Sequence, residues 1–167
     1  KKGNRIIQYL DLEDFEYKNI KKPKFEILNK IKKEKSLKDV FPLLIKEQDK
    51  ASIFYKKMLA FIFSYVSNRV PEICNEIYKI DDAMCAGFGW ELGPFEIWDT
   101  IGVQNGINLV EQEGMQVSEW VKNVKSFYDI TSEAKNYYDI DSKKFNLIPQ
   151  LNNLILLSNL QSTSTIW

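Results

Sequence analysis

The chain of 167 residues has the length of one domain, or of one domain with short appendages. Hydrophobic residues make up 44% of the sequence and charged residues 28%, which is typical of a globular protein and excludes a fibrous or disordered chain. Basic and acidic side chains number 23 each, so the charge balance disfavours nucleic acid as the main partner.

The sequence contains no histidine, which excludes a histidine general base, a Ser-His or Cys-His nucleophile pair and the commonest metal ligand within this chain. Its two cysteines, Cys74 and Cys85, form neither a metal-ligand spacing nor a disulfide framework. We therefore predict no metal site and a cytoplasmic protein. The longest apolar stretch, residues 58–63, is far shorter than the roughly 20 residues of a membrane span, so we predict none.

The first 48 residues predict a small hairpin within residues 1–20, followed by two short helices. Apolar residues recur at helical spacing after Pro23, at Phe25, Leu28 and Ile31. Ser36 and Asp39 resemble a capping box that opens the second helix, and we expect Pro42 to interrupt that helix.

A long helix is predicted from Asp49, which suits its N-cap, and Pro71 is expected to kink or break it. Around residues 59–63 apolar side chains occupy the whole circumference, which indicates burial on more than one side. Either this helix is central or a partner covers its second face. The second alternative makes a candidate interface of Phe61, Ile62 and Phe63.

Further helices follow the long one, so that the fold class is mainly α with six or seven helices. We expect a short helix capped by Asp81 or Asp82, then one over 95–101 after Pro94, then one over 103–113. Ser118 is expected to cap another helix. Residues 137–138 and 145–147 predict a hairpin near the C-terminal end. The polar tail of the sequence, residues 161–167, resembles a truncation boundary.

Four of the seven glycines fall within residues 87–102. Their spacing differs from that of a dinucleotide fingerprint, and the residues before them have a helical pattern where the fingerprint needs a strand, so we exclude a nicotinamide-binding loop. The pattern favours a tight corner between two helices, in which Gly87 ends the first helix in a left-handed conformation and Gly89 and Gly93 allow close backbone approach. Aromatic residues are expected to pack across this corner: Trp90, Phe95 and Trp98.

Three acidic residues near the corner could be read as a metal or acid/base site of a small hydrolase: Glu91, Glu96 and Asp99. No histidine accompanies them, and their spacing is that of a solvated helix face. We therefore favour a solvated helix face over a metal or acid/base site.

The segment IDDAMCAGFGWELGPFEIWDTIGV resembles the C-terminal helical domain of 3-hydroxyacyl-CoA dehydrogenases. The resemblance is densest over 81–103 and extends over 49–128. Its signature positions are Asp81, Gly87, Gly89, Trp90, Gly93, Pro94, Phe95, Glu96, Asp99 and Gly102. It implies an N-terminal extension over 1–48, a core helical domain over 49–128, and a hairpin with a linker over 129–167.

The resemblance implies a non-catalytic domain of a fatty-acid β-oxidation enzyme that oxidises 3-hydroxyacyl-CoA with NAD. NAD and the catalytic His-Glu pair are expected on a missing Rossmann domain, and an enoyl-CoA hydratase region is expected downstream. In the family, this domain borders the acyl-CoA substrate and supports a homodimer. Asn68 would correspond to a family residue that contacts the substrate. We interpret the chain as the second copy of this domain in a bacterial multienzyme. The alternative is a free-standing helical interaction module.

Overall fold

The structure, a computed structural model, describes residues 6–20, 24–131 and 134–149; the predicted tail lies outside these ranges. The described part contains the α-helices α1 Glu26–Ile31, α2 Leu37–Lys46, α3 Lys50–Ile73, α4 Ile77–Phe88, α5 Pro94–Ile101 and α6 Val103–Gln112, and a 3₁₀ helix Glu119–Asn123. Its strands are β1 Gln8–Leu10, β2 Tyr17–Asn19, β3 Tyr128–Ile130, β4 Lys135–Asp139 and β5 Lys144–Leu147. The predicted class, mainly helical with short hairpins near both ends, is confirmed.

The core is an aromatic stack between α3 and α5. Phe63 on α3 lies face to face with Trp98 on α5, with 4.5 Å between ring centroids, and Phe95 and Phe127 complete the cluster. These four side chains are fully buried. Such pairs contribute about 0.5–1.5 kcal/mol each beyond their buried area. Because α2, α5 and α6 all pack on α3, this helix is the central one of the four.

Pro71 does not break α3, which continues through it to Ile73. A proline has no N–H to donate to the carbonyl four residues earlier, which here belongs to Ser67. The indole Nε1 of Trp120 donates to that carbonyl oxygen at 3.0 Å and takes the place of the missing helix bond. We predicted a kink or a break at Pro71, and the break is wrong because α3 is continuous there. Pro42 likewise lies inside α2 and does not interrupt it, contrary to the prediction.

Replacing Trp120 with phenylalanine is expected to lower the free energy of unfolding by about 1–3 kcal/mol, because it leaves the buried Ser67 carbonyl without a donor. The phenylalanine ring retains most of the packing against Phe95 and Phe127. Urea denaturation measures the loss.

The matched control adds Pro71→Ala, which restores a backbone N–H four residues after Ser67. In that background Trp120→Phe should cost clearly less, as a double-mutant cycle would show. Equal costs in both backgrounds would contradict the assigned role of the indole.

Both predicted hairpins are present. β1 and β2 are antiparallel with Leu10 opposite Tyr17, and β4 and β5 pair with Tyr138 opposite Phe145. The sequence pattern missed β3, which pairs with β4 and makes the second sheet three-stranded. Within the described ranges, no helix combines the length and the apolar character needed to cross a bilayer.

Candidate functional site

The glycine-rich corner lies between α4 and α5. α4 begins earlier and ends later than predicted, because Glu76 occupies its N-cap and Gly89 its C-cap. Gly89 takes the left-handed conformation, with φ of 67°, that was predicted for Gly87. Gly87 lies inside the helix, and a Cβ there would meet nothing within 4 Å. Glycine occurs at both positions, so the local pattern alone did not distinguish them.

Asp81 does not cap its own helix as predicted, since it lies inside α4 and is almost fully buried. Its carboxylate accepts the backbone N–H groups of Phe95 at 2.9 Å and Glu96 at 3.0 Å, and so caps α5 from the neighbouring helix. Gly93, the N-cap residue of α5, has no side chain to do this. A Cβ on Gly93 would lie 2.2 Å from Cβ of Asp81, so this approach requires glycine.

The same carboxylate links the corner to the C-terminal sheet, because the hydroxyl of Tyr128 donates to Asp81 Oδ2 at 2.7 Å. The Lys135 ammonium lies 4.2 Å from the centre of the Tyr128 ring and 2.5 Å from Glu96 Oε1. Glu96 also accepts the Gly93 N–H at 2.9 Å. These contacts join α4, α5, β3 and β4 in one polar network.

Asp99, on the next turn of α5, holds the start of β3 in place. Its carboxylate accepts the N–H groups of Phe127 and Tyr128, each at 2.8 Å. Desolvation by burial raises the pKa of Asp99 to about 6 and that of Asp81 to about 7, against the opposing effect of the donated hydrogen bonds.

The elevated pKa values of these two carboxyl groups predict a pH dependence of stability. A carboxyl group that binds protons more tightly when folded stabilises the fold fully below about pH 3.8, its unfolded pKa. That contribution is lost as pH rises to about 6 for Asp99 and about 7 for Asp81.

We expect the stability advantage of the wild type over Asp99→Asn to shrink by on the order of 1–3 kcal/mol between pH 4 and pH 7. Urea denaturation across this range provides the measurement. The exposed Asp129→Asn serves as the control and should show a flat difference. An advantage that grows with pH would contradict the raised pKa.

The three acidic residues considered as a hydrolase or metal site have separate environments, and the solvated helix face that we favoured is wrong for Glu96 and Asp99, which are half-buried. Glu96 pairs with Lys135, and Asp99 accepts backbone N–H groups. Glu91 instead lines a groove beside α3. In the part of the chain that the structure describes, no group of three potential ligand residues is placed to hold a metal ion.

The remaining signature residues have simpler roles. Gly102, with φ of 86°, separates α5 from α6, and Pro94 is the first residue of α5, as predicted. Phe95 and Trp98 pack together, whereas Trp90 lies apart from that stack, in the wall of the groove.

Asn68 is exposed on α3, where its Nδ2 donates to the carbonyl oxygens of Ser64 at 2.9 Å and Gln116 at 3.2 Å. It thereby ties α3 to the segment that follows α6. Its neighbour Arg69 pairs with Glu72. A substrate contact by Asn68 stays a prediction.

The second face of α3 is only partly covered. Phe63 is fully buried against Trp98, so it cannot serve the predicted interface. Phe61 is 63% exposed and stacks on Tyr65, which is 58% exposed. Phe54 is also exposed and lies on the same side of α3, about two turns before Phe61. We call Phe54, Phe61 and Tyr65 the α3 stripe. Ile62 lies beside it, half-buried, in an apolar groove of about 390 Å³ between α2, α3 and the Trp90 segment.

The fold and this corner define a helical domain in which one buried and one half-buried carboxyl group join consecutive helices to a small sheet. Residues 54–136 match the model of the 3-hydroxyacyl-CoA dehydrogenase C-terminal domain. The chain therefore contains a domain of the 3-hydroxyacyl-CoA dehydrogenase C-terminal family, related to enzymes of fatty-acid oxidation.

Two bacterial relatives illustrate the similarity. A Bacillus subtilis (strain 168) protein named "Probable 3-hydroxyacyl-CoA dehydrogenase" is 33% identical over 144 residues, which cover 83% of this chain and 18% of the relative. A Rickettsia prowazekii (strain Madrid E) protein named as a "fatty acid oxidation complex trifunctional enzyme" is 28% identical over 146 residues, 86% of this chain and 17% of the relative. The chain thus spans less than a fifth of either relative. No solved structure shows significant similarity.

Proposed function

We propose that this chain is the non-catalytic helical domain of an NAD-dependent 3-hydroxyacyl-CoA dehydrogenase, which it helps to assemble and whose acyl-CoA site it helps to shape. The observation that carries the proposal is the α3 stripe. Three large aromatic side chains lie exposed along the central helix, inside the segment that matches the family. A contiguous apolar surface of this kind marks an interaction site.

The proposed absence of catalysis rests on the residues available. The chain has no histidine for proton transfer and no dinucleotide fingerprint, so NAD and the catalytic pair belong on a Rossmann region elsewhere in the polypeptide. The carboxyl groups with raised pKa, Asp81 and Asp99, accept hydrogen bonds from the backbone of α5 and β3. They hold elements together, and neither lines the apolar groove.

The proposed partners are the Rossmann and enoyl-CoA hydratase regions of the same polypeptide, because both relatives are more than five times longer than the matched segment. We place this chain as the second copy of the helical domain, packed through the α3 stripe on the copy that borders the substrate. In this arrangement the Asn68 side chain keeps its hydrogen bonds to Ser64 and Gln116. Its role is then structural, and it does not bind substrate.

The proposal is tested by following NADH formation from a 3-hydroxyacyl-CoA and NAD. The purified chain alone should produce no NADH, while the longer polypeptide should be active. In the longer polypeptide, Phe61→Asp should lower activity or assembly at least about tenfold, because it places a charge in a packed apolar contact.

The control is Ile130→Asp, since Ile130 is equally exposed but lies on β3, away from α3. It should leave activity within about twofold of the wild type. NADH production by the isolated chain, or equal effects of the two substitutions, would contradict the proposal. If instead the isolated chain is fully stable and no dehydrogenase region binds it, the free-standing interaction module gains support.

A further inference from the structure

The β1–β2 hairpin exposes apolar side chains on both of its faces. Ile7, Tyr9 and Ile20 lie on one face, and Leu10 and Tyr17 on the other. All of them are more than 40% exposed. Every hydrogen bond and ion pair that the structure gives residues 6–20 joins two residues of that segment. Because an isolated two-stranded ribbon is at best marginally stable, this hairpin needs an apolar surface to pack on.

The turn of the hairpin carries concentrated negative charge. Four carboxylates lie within six residues and form what we call the acidic tip: Asp11, Glu13, Asp14 and Glu16. Among the described residues, one lysine pairs with them, since Lys18 Nζ lies 2.7 Å from Asp11 and 2.5 Å from Asp14. Glu13 and Glu16 make no ion pair within the described ranges. The surface that receives the hairpin should therefore combine apolar side chains with positive charge.

The connection between α1 and α2 offers such a surface. Residues 32–38 contain four lysines and one carboxylate, and their exposed side chains form what we call the lysine surface: Lys32, Lys33, Lys35 and Lys38. In the described part of the chain, none of the four forms an ion pair. Beside them the apolar residues Leu28, Ile31 and Val40 are only partly buried.

We propose that the hairpin docks on the α1–α2 surface of a second copy of this chain, with its acidic tip on the lysine surface and one apolar face over Leu28, Ile31 and Val40. The charges of the two surfaces are opposite and equal in number, and each lies next to apolar side chains. When the exchange is reciprocal, it creates two identical contacts about a two-fold axis and closes the assembly as a dimer. This contact is separate from the α3 stripe.

Sedimentation velocity of the purified chain over a wide concentration range tests the proposal. The wild type should form a dimer that weakens as salt screens the charges. Glu13→Lys with Glu16→Lys should raise the dimer dissociation constant at least about tenfold, and so should Lys33→Glu with Lys35→Glu. These side chains are exposed, and circular dichroism should show an unchanged helical core. The fourfold variant that combines both reversals should return to within about threefold of the wild-type constant.

A matched control reverses two exposed lysines of the other hairpin, Lys143→Glu with Lys144→Glu, and should leave the dimer unchanged. A chain that stays monomeric at every concentration would overturn the proposal. So would charge reversals that do not weaken the dimer, or a fourfold variant that is weaker than either double variant. A dimer abolished by Phe61→Asp but unaffected by the hairpin variants would place the contact on the α3 stripe instead. NADH assays of the longer polypeptide remain an independent test of the proposed function.

Discussion

Replacing Gly106 with alanine is expected to lower the free energy of unfolding by at least about 3 kcal/mol, more than an ordinary overpacking substitution. A Cβ at this position in α6 would lie 2.0 Å from Nε1 of Trp98 and 2.5 Å from its Cδ1. Trp98 is fully buried, stacks on Phe63 and donates its Nε1–H to the carbonyl oxygen of Val103 at 3.0 Å. The indole therefore cannot move away without losing both the stack and the hydrogen bond.

Gly87→Ala is the control for this substitution, because it makes the same chemical change inside another helix. A Cβ at Gly87 meets nothing within 4 Å, and the position lies inside α4. The alanine there should raise stability by about 0.5–1 kcal/mol through its better helix propensity. Urea denaturation of both variants gives the comparison, and a Gly106→Ala protein as stable as the wild type would show that α6 and Trp98 are not in close contact.

Asp81→Ala should have a comparable effect, lowering the free energy of unfolding by about 3 kcal/mol or more. It removes the acceptor for the N–H groups of Phe95 and Glu96 and for the hydroxyl of Tyr128 in a buried position. Each unsatisfied buried donor costs about 1–3 kcal/mol. The N-terminus of α5 would lose its cap, and β3 would lose its link to α4.

The neighbouring Asp82→Ala provides the control for this prediction, since Asp82 is exposed on the same helix and should change stability by less than about 0.5 kcal/mol. Tyr128→Phe removes one of the three donors and should cost about 1 kcal/mol in the wild type but much less in the Asp81→Ala background. If the two effects are additive, the hydroxyl and the carboxylate do not form a buried hydrogen bond.

These two predictions also show how the residues of the corner depend on one another. Asp81 and Gly93 must occur together, because the carboxylate reaches the amides of α5 only if the residue at the N-cap has no Cβ. Glu96 and Asp99 extend the same arrangement to Lys135 and to the start of β3. The signature segment thus encodes a hydrogen-bonded joint between α4, α5 and the C-terminal sheet, and α5 in turn packs on α3.

The sequence by itself determined those helix ends that depend on residues close to them in the chain. Pro94 starts α5, Gly102 ends it, and Gly114, with φ of 71°, follows α6 one residue after its C-cap. Asp49 caps α3 as predicted, and its carboxylate accepts the Ser52 N–H at 2.8 Å. Caps, proline geometry and glycine in the left-handed region depend on a few neighbouring residues, so they can be read from the order of the amino acids.

Only the tertiary structure decided the partners that are distant in sequence. Asp81 caps a helix that begins thirteen residues later, Trp120 compensates Pro71, and Gly106 makes room for Trp98. It also decided which aromatic residue of α3 is buried, because Phe61 and Phe63 are equally apolar in sequence but point to different sides of the helix. Such contacts arise from packing between elements, and a buried donor or a close approach exists only once those elements are in place.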